Sequence, residues 1–243
     1  MRKTWALAAL VAVALAGVAY AEGDLVVTAK WQTEGTDVDL GIIGPDMKPV
    51  KAEKDVTSGP GEEKCTISNA GPGVYLVLVM YAGSKGGQKT PVSVEVRLGD
   101  KVESTTQVVL ERDGEGTFVR KVTIGQANLA TTKVASGDFA VAMKWETQGT
   151  DIDLIVVGPN LKPNKPTEDV TNGPGQETVT IQAPKPGLYL VVGSFAGPQG
   201  GPKTPVSVDV RAGDKSVGTC QGVLEKQGEE KILHIIEVGE APK

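Results

Sequence analysis

A chain of 243 residues with a net charge of −5 and only 4% aromatic residues is long enough for two ordinary domains. Its acidity, spread without a basic run, excludes nucleic acid as a partner, because phosphate binding needs a basic patch. Glycine and proline are frequent, 31 and 15, and no apolar pattern beyond the first residues follows a helical period, which favours an all-β class.

The chain opens on Arg2 and Lys3, an apolar run from Trp5 to Val18, and Ala19-Tyr20-Ala21 as a small-x-small cleavage site, the layout of an export signal over residues 1–21. The run is shorter than the roughly 20 residues that span a bilayer, and no cysteine follows to accept a lipid. The mature chain is expected to start at Glu22, to carry a charge of −7 once Arg2 and Lys3 are removed, and to be an exported periplasmic or extracellular protein with no membrane span after cleavage.

Residues 24–32 alternate Leu25, Val27, Ala29 and Trp31 against polar neighbours, a strand with one apolar face. Gly35-Thr36-Asp37-Val38-Asp39-Leu40 follows and recurs as Gly149-Thr150-Asp151-Ile152-Asp153-Leu154, an offset of 114 positions that the flanking residues keep. The chain therefore reads as a tandem duplication: a repeat over 22–125, a linker over 126–136 and a second repeat over 137–243. Val38, Leu40 and Ile42 point one way and Asp37 and Asp39 the other, about 6.5 to 7 Å apart along the strand.

After the Gly44-Pro45-Asp46 turn comes a loop over about 49–61 that carries Asp55 and Gly59-Pro60-Gly61. A strand over 63–68 then leads to 74–81, the most apolar strand and so the expected centre of a sheet. Strands over 91–98, 102–111 and 117–124 complete the copy, separated by Gly99-Asp100-Lys101 and Asp113-Gly114 turns. Seven short strands per copy predict two tandem antiparallel β-sandwiches of jelly-roll or immunoglobulin-like type. The linker holds no proline and no glycine run, which predicts a short connection of limited freedom.

Cys65 and Cys220 are not repeat equivalents, since they match Val179 and Thr106. Export permits a disulfide, but it would have to join the copies at non-equivalent places, and Cys65 reads as a small buried hydrophobe beside Ile67. The single histidine, His234, excludes a histidine-bearing triad in each copy and is expected to be an ordinary strand residue, as is its counterpart Arg120. Gly197 to Thr204 resembles a phosphate loop only until Pro202 and the strand after it, which leave no helix N-terminus to cradle phosphate.

The residues that carry candidate chemistry are acidic. Asp37, Asp39, Asp55 and Glu63, with Asp151, Asp153, Asp169 and Glu177 in the second copy, offer hard oxygen ligands of the kind calcium takes in sixes to eights, and nothing here fits zinc. The opposing reading is that Asp37 and Asp39 bond to amides of the long loop and pin it. Trp31, Tyr75 and Tyr81, with Trp145, Tyr189 and Phe195, continue apolar strand faces and read as core rather than as a sugar platform.

Trp31, Thr36-Asp37-Val38-Asp39-Leu40, Gly44-Pro45, Asp55-Val56-Thr57, Gly59-Pro60-Gly61, Glu63, Pro72-Gly73-x-Tyr75 and Thr90-Pro91-Val92, repeated from Trp145 to Val206, resemble the YfaP-type bacterial domain of unknown function. More distantly the set is similar to the pre-peptidase C-terminal sandwich appended to secreted hydrolases. Gly41 and Ile155 stand where the YfaP-type pattern often has histidine, so no role of that histidine carries over. The resemblance implies an exported β-sandwich module and brings no established activity. The expectation is a non-enzymatic binding or structural module, stabilised by calcium, whose partner is an envelope protein or a glycan of unknown identity; duplication doubles such a surface and supplies avidity. The alternative is a small glycoside hydrolase using Asp37 and Asp39, since carboxyl pairs about 5 to 9 Å apart serve as acid and base or nucleophile.

Overall fold

A computed structural model describes residues 23–84, 89–125, 129–197 and 203–239. The expected export signal lies outside the described residues, as do the loop segments 85–88 and 198–202 and the first part of the linker, 126–128. The described residues form an all-β protein of largely antiparallel sheets, with no helix among them.

The first copy holds β1 (Leu25–Trp31), β2 (Thr36–Ile43), β3 (Pro49–Lys51), β4 (Gly61–Ile67), β5 (Gly73–Ser84), β6 (Thr90–Leu98), β7 (Lys101–Leu110) and β8 (Gly116–Ile124). The linker contributes β9 (Ala130–Val134), and the second copy holds β10 (Phe139–Trp145), β11 (Asp151–Val157), β12 (Pro163–Asn164), β13 (Gly175–Ile181), β14 (Gly187–Gly197), β15 (Thr204–Ala212), β16 (Lys215–Leu224) and β17 (Glu230–Val238). Sheets ordered β4-β1-β6-β7 and β3-β2-β5-β8 in the first copy are matched by β13-β10-β15-β16 and β12-β11-β14-β17-β9 in the second.

Period-2 alternation places the core. Leu25, Val27, Ala29 and Trp31 of β1 and Val38, Leu40 and Ile42 of β2 are buried in one cluster, and their counterparts Phe139, Val141, Met143, Trp145, Ile152, Leu154 and Val156 in another. Tyr75, Tyr81, Tyr189 and Phe195 are core as well, and Phe139 and Tyr189 meet edge to face with centroids 5.2 Å apart.

Three features differ from the expectation. Two short strands, β3 and β12, form inside what the sequence presents as loops, by pairing with the ends of β2 and β11. Residues 130–134 of the linker are a strand, β9, which pairs parallel with β17. Finally, a third apolar cluster, including Val74, Leu76 and Phe118 from the first copy and Leu190, Val192, Ile232 and Ile235 from the second, lies between the β2-β5-β8 and β11-β14-β17 sheets. The central strand β5 is apolar throughout because both of its faces are covered, one by its own sandwich and one by the other copy. At the margin of this layer Lys121 Nζ donates to Glu237 Oε1 at 2.7 Å.

Cys65 and Cys220 are both free thiols. Burial pushes their pKa values up to about 12 and about 11, so both stay protonated and unreactive at neutral pH.

Candidate functional site

The acidic residues sit where β2 leaves the core and the long loop folds back on it. Along β2, Thr36, Val38 and Leu40 face inward while Asp37 and Asp39 share the opposite, half-buried face. Pairing between β2 and β5 slips at Asp37/Val38, leaving Ala82 as an extra residue on β5, and β11 and β14 show the same slip at Asp151/Ile152; such a bulge bends the strand and re-aims its side chains. The loop is clamped to the start of β2 by backbone bonds from Gly35 N–H to Gly59 O, 2.9 Å, and from Gly59 N–H to Thr36 O, 2.6 Å. This fold-back carries Asp55 over the strand.

Asp37, Asp39 and Asp55 each place a carboxylate oxygen within 4.8 Å of the others, and Asp151, Asp153 and Asp169 do the same in the second copy. Burial first, and then the neighbouring carboxylates, raise the pKa of Asp37, Asp39, Asp151 and Asp153; for Asp39 and Asp153 the nearby Lys51 and Lys165 oppose this. Asp37 Oδ1 and Asp151 Oδ1 are sealed from solvent with no hydrogen-bond partner. A carboxylate trio with two half-buried members, one of them holding an unpartnered oxygen, and a third that is exposed holds unspent affinity for a cation.

Glu63 and Glu177 behave differently. Glu63 is 2% exposed, and its two oxygens accept the amides of Leu40 at 2.8 Å and Val56 at 3.0 Å. Glu177 accepts those of Leu154 at 2.7 Å and Val170 at 3.1 Å. The long loop is indeed pinned by a carboxylate, but by this glutamate and not by Asp37 or Asp39. The signal for it was present in the sequence: Glu63 alternates in phase with Cys65, and Glu177 with Val179 and Ile181, which puts both glutamates on the core side of their strands. Their pKa values are raised by burial despite the two amides that favour the ionised form.

In the first copy a cleft of about 250 Å³ adjoins the trio, lined by Asp39, Asp55, Gly41, Val50, Leu78 and Met80. Ile155 stands at the place of Gly41 in the second copy. Among the described residues no aromatic ring lines this cleft, and Trp31 and Trp145 are 1% and 2% exposed, within the core. His234 is 1% exposed, with Nε2 2.7 Å from Thr132 Oγ1; burial lowers its pKa, and it is remote in sequence and sheet position from the acids. No family model, curated protein or solved structure matches the chain.

The raised carboxylates set a pH dependence. A carboxylate whose folded pKa exceeds its unfolded value holds its proton more tightly when folded. Stability of the metal-free protein then falls as pH climbs from the ordinary carboxylate range through the raised values, and above them the penalty is complete. Accordingly, Asp37→Asn combined with Asp151→Asn should raise the melting temperature of metal-free protein at pH 7.5 by about 2 to 4 °C, the shift that ~1 kcal/mol produces in a chain of this size. At pH 4 the gain should be smaller, because the raised pKa values let the wild-type groups take up protons as pH falls and so shed the penalty; thermal melts at the two pH values decide it.

Proposed function

We propose that the chain is an exported, non-enzymatic binding or structural module that takes one divalent cation, calcium, at each acidic trio. The observation that carries the reading is the recurrence, in both copies, of three carboxylates within 4.8 Å with one oxygen buried and unpartnered. The long loop is already anchored beside each trio by Glu63 and Glu177, so the aspartates are not needed for that work. Hard oxygen donors suit calcium, with loop carbonyls and water completing the six to eight ligands. The resemblance to the YfaP-type domain supports the export and module parts of the reading, and an envelope protein or glycan remains the proposed partner.

A cation bound only by the folded state stabilises it by RT ln(1 + [L]/Kd), about 2.7 kcal/mol at a hundredfold excess over Kd. Adding about 1 mM calcium to stripped mature chain should therefore raise its melting temperature by several degrees at pH 7.5 and much less at pH 5, where protons compete. Calorimetric titration should give two sites, and one in either Asp37→Asn or Asp151→Asn. Identical melts with calcium and with chelator would sink the cation reading.

A further inference from the structure

The outer faces of the β4-β1-β6-β7 and β13-β10-β15-β16 sheets are repeat equivalents with different chemistry. In the first copy the face carries paired charges: Lys30 Nζ lies 3.0 Å from Glu62 Oε2 on the neighbouring strand, and Lys64 Nζ 4.0 Å from Glu53 Oε1. Val26 and Thr28 stand half-buried along β1 beside them. At the positions 114 residues on, Glu62 becomes Gln176, Glu53 becomes Thr167, Lys64 becomes Thr178, Val26 becomes Ala140 and Thr28 becomes Ala142. Two ion pairs thus give way to one cation, Lys144, which faces the neutral amide of Gln176. Two mid-sized side chains give way to methyl groups.

The smaller side chains leave a trough of about 580 Å³ over Ala140 and Ala142, within the roughly 300–1,000 Å³ of ligand sites. Ser207 and Arg211 on its β15 side are exposed where their counterparts Ser93 and Arg97 are half-buried. Strand pairing sets Gln176, Lys144, Ser207 and Gln221 in one row across the sheet and Thr178, Ala142, Asp209 and Thr219 in the next, about 6.5 to 7 Å apart along the strands. Asp209 is held by its neighbours: Ser216 Oγ donates to Oδ1 at 2.5 Å, and Arg211 Nη1 lies 3.7 Å from Oδ2. Lys144 is therefore the charge that the trough offers to a ligand, among amides and hydroxyls. A second trough of about 560 Å³ adjoins the first at Lys144, Ser207 and Gln221, and Glu146 borders that one alone.

We propose that this sheet face of the second copy binds a carboxylate-bearing glycan, a chain that contains uronate units. The amides of Gln176 and Gln221 and the hydroxyls of Thr178, Ser207 and Thr219 pair with sugar hydroxyls, the alanine methyls take the C–H face of a ring, and Lys144 takes a carboxylate. A polypeptide fits less well. The trough lies on the face of strands whose backbone groups are paired within the sheet, so it offers no edge for strand addition, and its floor is methyl groups rather than a pocket for an anchoring side chain. The inference rests on the binding-module reading and narrows its partner to one class, but it uses no residue of the cation sites.

The probe is hexagalacturonate, titrated calorimetrically into the chain in metal-free buffer, beside its carboxyl-reduced counterpart and hexaglutamate. One site per chain is expected, with the acidic sugar bound at least about threefold more tightly than the reduced one, the scale of one exposed ion pair, and more tightly than hexaglutamate. Lys144→Gln should erase the preference between the two sugars and leave the affinity for the reduced one unchanged. Ala140→Val, Ala142→Thr and Gln176→Glu together give the second copy the residues that the first already carries at these places, so the fold tolerates them; affinity should fall at least about tenfold. The reverse set, Val26→Ala, Thr28→Ala and Glu62→Gln, should create a second site. No binding of either sugar, hexaglutamate bound as tightly as hexagalacturonate, a preference that survives Lys144→Gln, or an affinity unmoved by the triple replacement overturns the proposal. Calcium titration reads the acidic trios separately, so failure of either reading leaves the other standing.

Discussion

Glu63→Ala is expected to destabilise the folded chain by about 3 kcal/mol, because it strands the amides of Leu40 and Val56 with no acceptor in a place water reaches poorly. For a chain of this length that is a fall of about 6 to 12 °C in melting temperature, a large share of an ordinary 5–15 kcal/mol stability. Glu63→Gln does not restore it, since its one amide oxygen serves a single donor while its NH2 faces the other. Glu177→Ala should act alike through Leu154 and Val170. Denaturant unfolding of metal-free protein at neutral pH measures the effect and separates two roles for the glutamate. A residue that anchors the loop lowers stability without metal, whereas one that only binds calcium leaves metal-free stability unchanged and removes the calcium shift.

Trp31→Ala should cost as much or more, about 3 to 5 kcal/mol for an aromatic side chain lost from a packed core. The indole is 1% exposed and donates its N–H to Thr36 O at 3.3 Å. The loop backbone packs against its ring so closely that a Cβ on Gly61 would lie 2.5 Å from Trp31 Cζ2, and one on Gly59 would overlap Nε1 while lying 2.7 Å from Thr33 O. The ring is therefore the floor on which the Asp55 loop rests. Gly59→Ala, which leaves the ring but displaces the loop, should reduce stability in the same direction. In both variants the trio of the first copy loses Asp55, so calorimetric calcium sites should drop from two to one while the second copy keeps its own. Retention of two sites in Trp31→Ala would show that Asp55 does not depend on this support.

Much of this arrangement was legible in the residues. Alternation in β1 and β2 identified the buried faces and placed Asp37 and Asp39 together on the other one, and the aromatics were read correctly as core. Loop anchoring by Asp37 and Asp39 was one of two open readings, and Glu63 was not offered for that role although its phase with Cys65 was available, because a carboxylate on a core face runs against the usual burial of charge and only the two backbone amides make it tolerable. The linker strand was missed for a different reason: Ala130 to Val134 alternates over only five residues, too short to distinguish a strand from an extended connection without a partner edge.

The sequence by itself determined the all-β class, the order of the seven longer strands in each copy, the inward and outward sets of side chains and the equivalence of positions 114 apart, since each follows from local geometry and from the chain compared with itself. Only the tertiary structure decided what lies against each face and edge: that Asp55 reaches Asp37 and Asp39 while Glu63 turns to the amides of Leu40 and Val56, that β5 has a second covered face, and that β9 closes one sandwich. Periodicity along a strand reports which side chains share a face; the element that covers that face comes from residues distant in sequence, and its choice rests on packing and unmet hydrogen bonds summed over the whole fold.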